Sequence, residues 1–150
     1  MKHYGTQAAD PVLRHLRASG EGRTVQHATL DIDGFPIVAR GRQVGPAYNG
    51  HYGKRVYNPL VAGFAPRGDY GDTRLGNGFV HVMLRKGNAA SAEGALRFIR
   101  SSIQKCEAHS MSVDVRFDAA FTIGRIMDPL TDDGTKFVGR LTNNKRLNKR

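Results

Sequence analysis

Thr29-Leu30-Asp31-Ile32-Asp33 alternates polar with apolar side chains, the period-two pattern of a strand with one buried face. Residues 35–39 continue the β-rich run, and Gly41-Arg42 predicts a turn before a further segment over 43–48. Residues 57–64 read as another apolar strand, with Pro59 pointing either to an edge strand or to a strand start. The glycine-rich stretch 67–78 predicts a loop or hairpin, and 79–84 a further strand. The period then changes. Ala92, Ala95, Leu96, Ile99, Ile103 and Cys106 mark one apolar stripe of a helix, with Ser91 as its N-cap. Arg97, Arg100, Gln104 and Lys105 fall on the opposite side. Val113-Asp114-Val115-Arg116-Phe117 alternates again, 122–130 predicts a second helix stopped near Pro129, and 136–141 a last short strand.

Residues 1–27 are weakly patterned. Val12, Leu13 and Leu16 support one short helix after Pro11, ended by Gly20 and Gly22. This stretch reads as a linker or a remnant of an upstream region, with a domain over 28–142 and a basic tail over 143–150. Antiparallel-looking strands followed by helix, strand, helix and strand predict an α/β fold in which helices cover a mixed sheet. A ribonuclease-H-like fold has this order of elements, and other folds share it.

At 150 residues the chain is long enough for one domain with a core. It has no apolar run long enough for a membrane span. The first twenty residues, interrupted by His3, Asp10, Arg14, His15 and Arg17, hold no signal-peptide core. The single cysteine, Cys106, excludes an internal disulfide and a multi-cysteine zinc site, and reads as a small buried helix residue. A cytoplasmic location is the expectation.

Charge adds the first functional hint. Lys and Arg number 23 against 13 Asp and Glu, a formal net charge of +10, which favours polyanionic partners through counterion release. Basic soluble proteins of other kinds share this balance. No acid follows Asp133, whereas Lys136, Arg140, Lys145, Arg146, Lys149 and Arg150 are all basic. That segment is either a solvated tail or a phosphate-contacting one.

Two apolar runs end in a carboxylate. Asp31 and Asp33 share one face of their strand, while Leu30 and Ile32 share the other. In the second run Asp114, Arg116 and Asp118 oppose Val113, Val115 and Phe117. Phosphoryl transfer by a two-metal site uses hard oxygen ligands around ions about 4 Å apart, and aspartates at the ends of adjacent strands can supply them. Spacing alone equally fits ordinary strand-end aspartates.

The surrounding residues narrow the choice. Leu30-Asp31-Ile32-Asp33 is followed by Ala47-Tyr48-Asn49-Gly50-His51-Tyr52-Gly53-Lys54-Arg55-Val56-Tyr57-Asn58-Pro59-Leu60. Leu84-Arg85-Lys86-Gly87-Asn88 then leads into Ser91-Ala92-Glu93-Gly94-Ala95, and Arg116-Phe117-Asp118-Ala119-Ala120-Phe121 closes the series. In order and spacing these four elements resemble the insertion-sequence transposases grouped as transposase DDE domain group 1. The match departs from the usual pattern at Gly34, Tyr57-Asn58, Lys86 and Ala120.

The resemblance implies that Asp33 and Asp118 are the first and second catalytic carboxylates and hold Mg²⁺ or Mn²⁺, with Asp31 a supporting neighbour. It implies DNA as substrate: hydrolysis at transposon ends, then joining of the freed 3′-hydroxyl to target DNA. The third acid expected of the family is a glutamate on a helix well beyond the last strand, and no Glu follows Glu107. The expectation is therefore a partial catalytic domain, incomplete at its C-terminus and inactive alone. The alternative is a non-catalytic, basic DNA-binding module that modulates full-length transposase by pairing with it; homo-oligomerisation is a further expectation.

Lys54, Arg55, Arg85, Lys86, Arg116, Lys145 and Arg146 are the candidate DNA contacts. Lys54 and Arg55 lie among Tyr48, His51, Tyr52 and Tyr57, an interleaving that suits phosphate contact and base stacking but also fits core tyrosines in a hairpin. Arg85-Lys86-Gly87-Asn88 precedes a helix, where backbone N–H groups could hold a phosphate, and turn chemistry explains it as well. The six histidines show no metal-ligand spacing, and no Walker-type Gly-Lys-Ser/Thr occurs, which argues against a nucleotide cofactor.

Overall fold

The computed structural model describes residues 25–67 and 78–141. The short helix expected near Pro11, most of the glycine-rich stretch and the basic tail lie outside these residues. Among the described residues ten elements follow one another: β1 (His27–Gly34), β2 (Ile37–Val38), β3 (Ala47–Asn49), β4 (Lys54–Tyr57), β5 (Leu60–Pro66), β6 (Gly78–Met83), α1 (Ala95–Glu107), β7 (Ser112–Phe117), α2 (Gly124–Asp132) and β8 (Phe137–Gly139).

β1 is the middle strand of a five-stranded sheet ordered β6-β5-β1-β7-β8. On one side it pairs antiparallel with β5, which pairs antiparallel with β6. On the other it pairs parallel with β7, which pairs parallel with β8. This mixed α/β sheet is compatible with a ribonuclease-H-like arrangement. Between β1 and β5 the chain makes a small three-stranded sheet ordered β2-β4-β3.

The period-two pattern sorts the faces as expected. Ala28, Leu30 and Ile32 of β1 and Val115 and Phe117 of β7 are buried in one core with Phe98, Ile99 and Cys106 of α1 and Ile126 and Leu130 of α2. Burying each such large side chain contributes about 1.5–3 kcal/mol, which is why this face is fixed. The other face of β1 and β7 carries Asp31, Asp33, Asp114 and Arg116, all partly or fully exposed.

Three details differ from the expected elements. β5 begins at Leu60, just after Pro59, and runs between β1 and β6; Pro59 marks a strand start in the sheet interior, not an edge. The N-cap of α1 is Gly94, at φ 71°, with no side-chain cap, so Ser91 is not the cap. The carbonyls of Ala90, Ser91 and Glu93 are instead gathered by Arg85, which holds residues 90–93 in a turn ahead of the helix. Pro129 lies inside α2 and does not stop it. Burial of Leu130 anchors the following turn, and the Asp133 N–H closes it on the Pro129 carbonyl at 3.0 Å.

The buried face of α1 also centres on two residues outside the apolar stripe, Phe98 and Ser102. Phe98 stacks on His81 with ring centroids 4.5 Å apart. The Ser102 hydroxyl donates to the Phe98 carbonyl at 2.8 Å and lies 2.9 Å from His81 Nδ1. No helix among the described residues is long and apolar enough to cross a membrane.

Candidate active site

Parallel pairing of β1 with β7 sets Ile32 opposite Phe117. The next residues in each chain direction, Asp33 and, just past the strand, Asp118, therefore emerge at the carboxyl ends of adjacent strands. In open α/β sheets this edge is where ligands bind. Both aspartates line one cleft, with Gly34, Asn49, His51, Tyr52, Asn58 and Arg85 among its other walls. The three-stranded sheet supplies the aromatic side of that cleft: His51 meets Tyr52 edge to face, with centroids 4.8 Å apart.

Each carboxylate is held by neighbouring backbone. The Gly34 N–H donates to Asp33 Oδ1 at 2.7 Å, and the Ala120 N–H donates to Asp118 Oδ1 at 2.9 Å. Both side chains are exposed to solvent. Among the described residues neither carboxylate is in an ion pair.

The acids farther back on the same face are neutralised. Asp31 sits opposite Arg116 in the parallel register and receives its Nε and Nη2, the latter at 2.8 Å. That hydrogen bond, helped by the charge of Asp31, raises the Arg116 pKa above its ordinary value. Asp114 is bonded by Arg67 and, at 3.2 Å, by His27 Nε2. The unpaired carboxylates on this face of β1 and β7 are thus the two at the strand ends, where a cation can reach them.

The predicted DNA contacts separate. Lys54, Arg55 and Lys86 are exposed; Arg55 Nη2 also reaches the Pro46 carbonyl at 3.4 Å. Arg116 is committed to Asp31. Lys145 and Arg146 lie outside the described residues. Arg85, another of the candidate DNA contacts, is 6% exposed. Burial pushes its guanidinium pKa down, and the nearby charge of Glu93 partly offsets this. Asn49 and Asn58, which the motifs contain but spacing did not single out, also line the cleft. Their signal in sequence is weak, because asparagine in a Gly-rich segment reads first as a turn residue.

Among the described residues no group of three or more His, Cys, Asp and Glu side chains is placed to hold a metal ion. Two carboxylates lining one cleft are hard oxygen donors of the kind a divalent cation takes as part of its ligand set.

The parallel pairing of β1 and β7 thus brings acids at the ends of two neighbouring strands to one cleft. The chain matches transposase DDE domain group 1 over residues 6–150 and belongs to that family. No curated protein matches it.

Proposed function

We propose that this chain serves as a catalytic domain of a DDE transposase, of ribonuclease-H-like fold, with Asp33 and Asp118 as its first two metal-binding carboxylates. The observation that carries this reading is the parallel β1–β7 register, which brings acids 85 positions apart in the chain to one cleft. Mg²⁺ or Mn²⁺ bound there would polarise a DNA phosphodiester and favour a water or 3′-hydroxyl nucleophile. The protein's own part is to fix one oxygen of each carboxylate on a backbone N–H, leaving the other directed for coordination. Lys54, Arg55 and Lys86 would hold flanking phosphates, since each neutralised phosphate adds salt-dependent affinity.

A further protein ligand would come from outside the described residues, from this polypeptide or another. Strand transfer by this chain alone is therefore expected to be slight even where metal and DNA bind. The test is Mn²⁺ binding followed by paramagnetic relaxation, with transposon-end DNA cleavage assayed in parallel. Asp33→Asn and Asp118→Asn should each weaken Mn²⁺ binding at least tenfold, about 1.4 kcal/mol, without loss of fold. Unchanged binding in both variants would overturn the assignment. DNA binding that persists with no effect of metal or of either substitution would favour the non-catalytic module, for which the net charge of +10 is the supporting feature.

A further inference from the structure

Arg85 is tied down on two of its three guanidinium nitrogens. Nε donates to the Asn58 carbonyl at 2.8 Å, and Nη1 lies within hydrogen-bonding distance of the carbonyls of Ala90 (3.0 Å), Ser91 (2.9 Å) and Glu93 (3.0 Å). All of these acceptors are neutral backbone, so none of them balances the charge. The remaining nitrogen, Nη2, is the single buried side-chain nitrogen or oxygen without a hydrogen-bond partner among the described residues. Buried donors are almost always satisfied, and a buried cationic one left open is costly. Its position is specific: a Cβ placed on Gly34 would lie 4.0 Å from Nη2 and 3.4 Å from Asn58 Oδ1. Gly34 directly follows Asp33, and Gly34, Asn58 and Arg85 line the same cleft as both carboxylates.

We propose that Arg85 is an oxyanion-binding residue of this cleft, its Nη2 donating to a non-bridging oxygen of a phosphodiester drawn in over Gly34. This rests on the reading of the cleft as a phosphoryl-transfer site and adds a ligand for the substrate, distinct from the ligands for the metal. The planar guanidinium is oriented before any substrate arrives, because its backbone acceptors fix its plane. A lysine could not hold the 90–93 turn and present a second donor at once. With no side chain on Gly34, nothing from that residue blocks an approach to Nη2. Nη2 is closed to bulk water, so entry of the oxygen requires a neighbouring side chain to move aside, and Asn58, whose Oδ1 would lie 3.4 Å from a Cβ on Gly34, is the cleft residue beside that position. Asn58 is held loosely, its Nδ2 reaching the Ala89 carbonyl at 3.4 Å.

The experiment is a titration of the ¹⁵N-labelled chain, metal-free in the presence of chelator, with inorganic phosphate and separately with a short single-stranded oligonucleotide. The arginine Nε and Nη resonances are followed. Saturable shifts of the Arg85 signals with the oligonucleotide are expected, with weaker shifts for phosphate; equal affinity for both would point to a free-phosphate site and overturn the phosphodiester assignment. Gly34→Ala makes only ordinary contacts and leaves the Arg85 hydrogen bonds intact, so it should fold normally and weaken the Arg85 response at least tenfold. Because Arg85→Lys disturbs the turn itself, the decisive readings are the unsubstituted chain and Gly34→Ala. Arg85 signals that stay still while the oligonucleotide binds elsewhere would sink the proposal, as would an undiminished response in Gly34→Ala. Metal binding fails independently: loss of the Mn²⁺ site with an intact Arg85 response would reject the proposed metal ligands and leave the anion site standing.

Discussion

Replacing Gly87 by alanine would place a methyl carbon 2.0 Å from the Val56 carbonyl oxygen and 2.5 Å from that of Ala47. Both obstacles are backbone, and both belong to the small sheet that walls the cleft. Lys86 bridges to Tyr57, the Asn58 N–H donates to the Arg85 carbonyl at 3.3 Å, and Asn49 Nδ2 donates to the Gly87 carbonyl at 2.7 Å. Real Cβ contacts essentially never fall below 3.0 Å, so strand and turn must separate by about 1 Å, breaking some of these bonds. Inserting one methyl group into a packed side-chain core costs about 1–3 kcal/mol; here no rotamer change can relieve the contact, and about 3 kcal/mol is the expected loss. For a chain of this length each 1 kcal/mol lowers Tm by roughly 2–4 °C, giving a fall of roughly 6–12 °C. Thermal unfolding followed by circular dichroism measures it, with Gly50→Ala as the control. Gly50 has nothing within 4 Å of the new carbon, so its Tm should change by no more than about 2 °C. If Gly87→Ala melts together with Gly50→Ala, the close packing of this turn on β3 and β4 is refuted.

The Asp31–Arg116 pair joins side chains that are 36% and 64% exposed, so a double-mutant cycle should give a coupling of about 0.2–1 kcal/mol that shrinks with salt. A coupling beyond about 2 kcal/mol would show that the pair behaves as a buried one. Asp31→Asn should leave Mn²⁺ binding intact, and its loss would make Asp31 a ligand instead of a partner of Arg116. Cys106 is fully buried, and burial pushes its thiol pKa from 9.0 up to about 12. An aromatic disulfide reagent should therefore label it only as the protein unfolds; rapid labelling of the native chain contradicts its placement in the core. The same shift has a definite sign for stability. The unfolded thiol ionises first, so this contribution is whole below about pH 9 and is lost as pH rises toward 12. Cys106→Ala should flatten the stability profile in that window, and an identical slope in both proteins would show that the shift is absent.

Much of the site was legible along the chain. Alternation placed Leu30 and Ile32 on one face and Asp31 and Asp33 on the other, and did the same for Val115 and Phe117 against Asp114, Arg116 and Asp118. The structure keeps both divisions. This succeeds because a strand's side-chain period is a local property of the backbone. The α1 stripe was legible for the same reason, with Phe98 and Ser102 added only by the way β6 and His81 press against the helix. Ser91 as a cap and Pro129 as a stop were sound local readings that lost to longer-range bonds: Arg85 claims the carbonyls before α1, and the buried Leu130 carries α2 past its proline. Pro59 left two meanings open, and only the pairing of β5 with strands on both sides chose between them.

What the chain determined by itself was therefore which residues face inward, where apolar runs end in acid, and, through four ordered motifs, membership of a transposase family. Tertiary structure alone decided which of the four acids on the sheet face remain unpaired. It did so through the β1–β7 register, because two strands separated by some eighty residues become neighbours only by non-local pairing. Register also put Arg116 against Asp31, turning a candidate DNA contact into that acid's partner. The burial of Arg85 is of the same kind. Its four backbone acceptors come from two separated stretches, Asn58 and residues 90–93, brought together by folding, and no spacing along the chain encodes the nitrogen they leave open near Gly34.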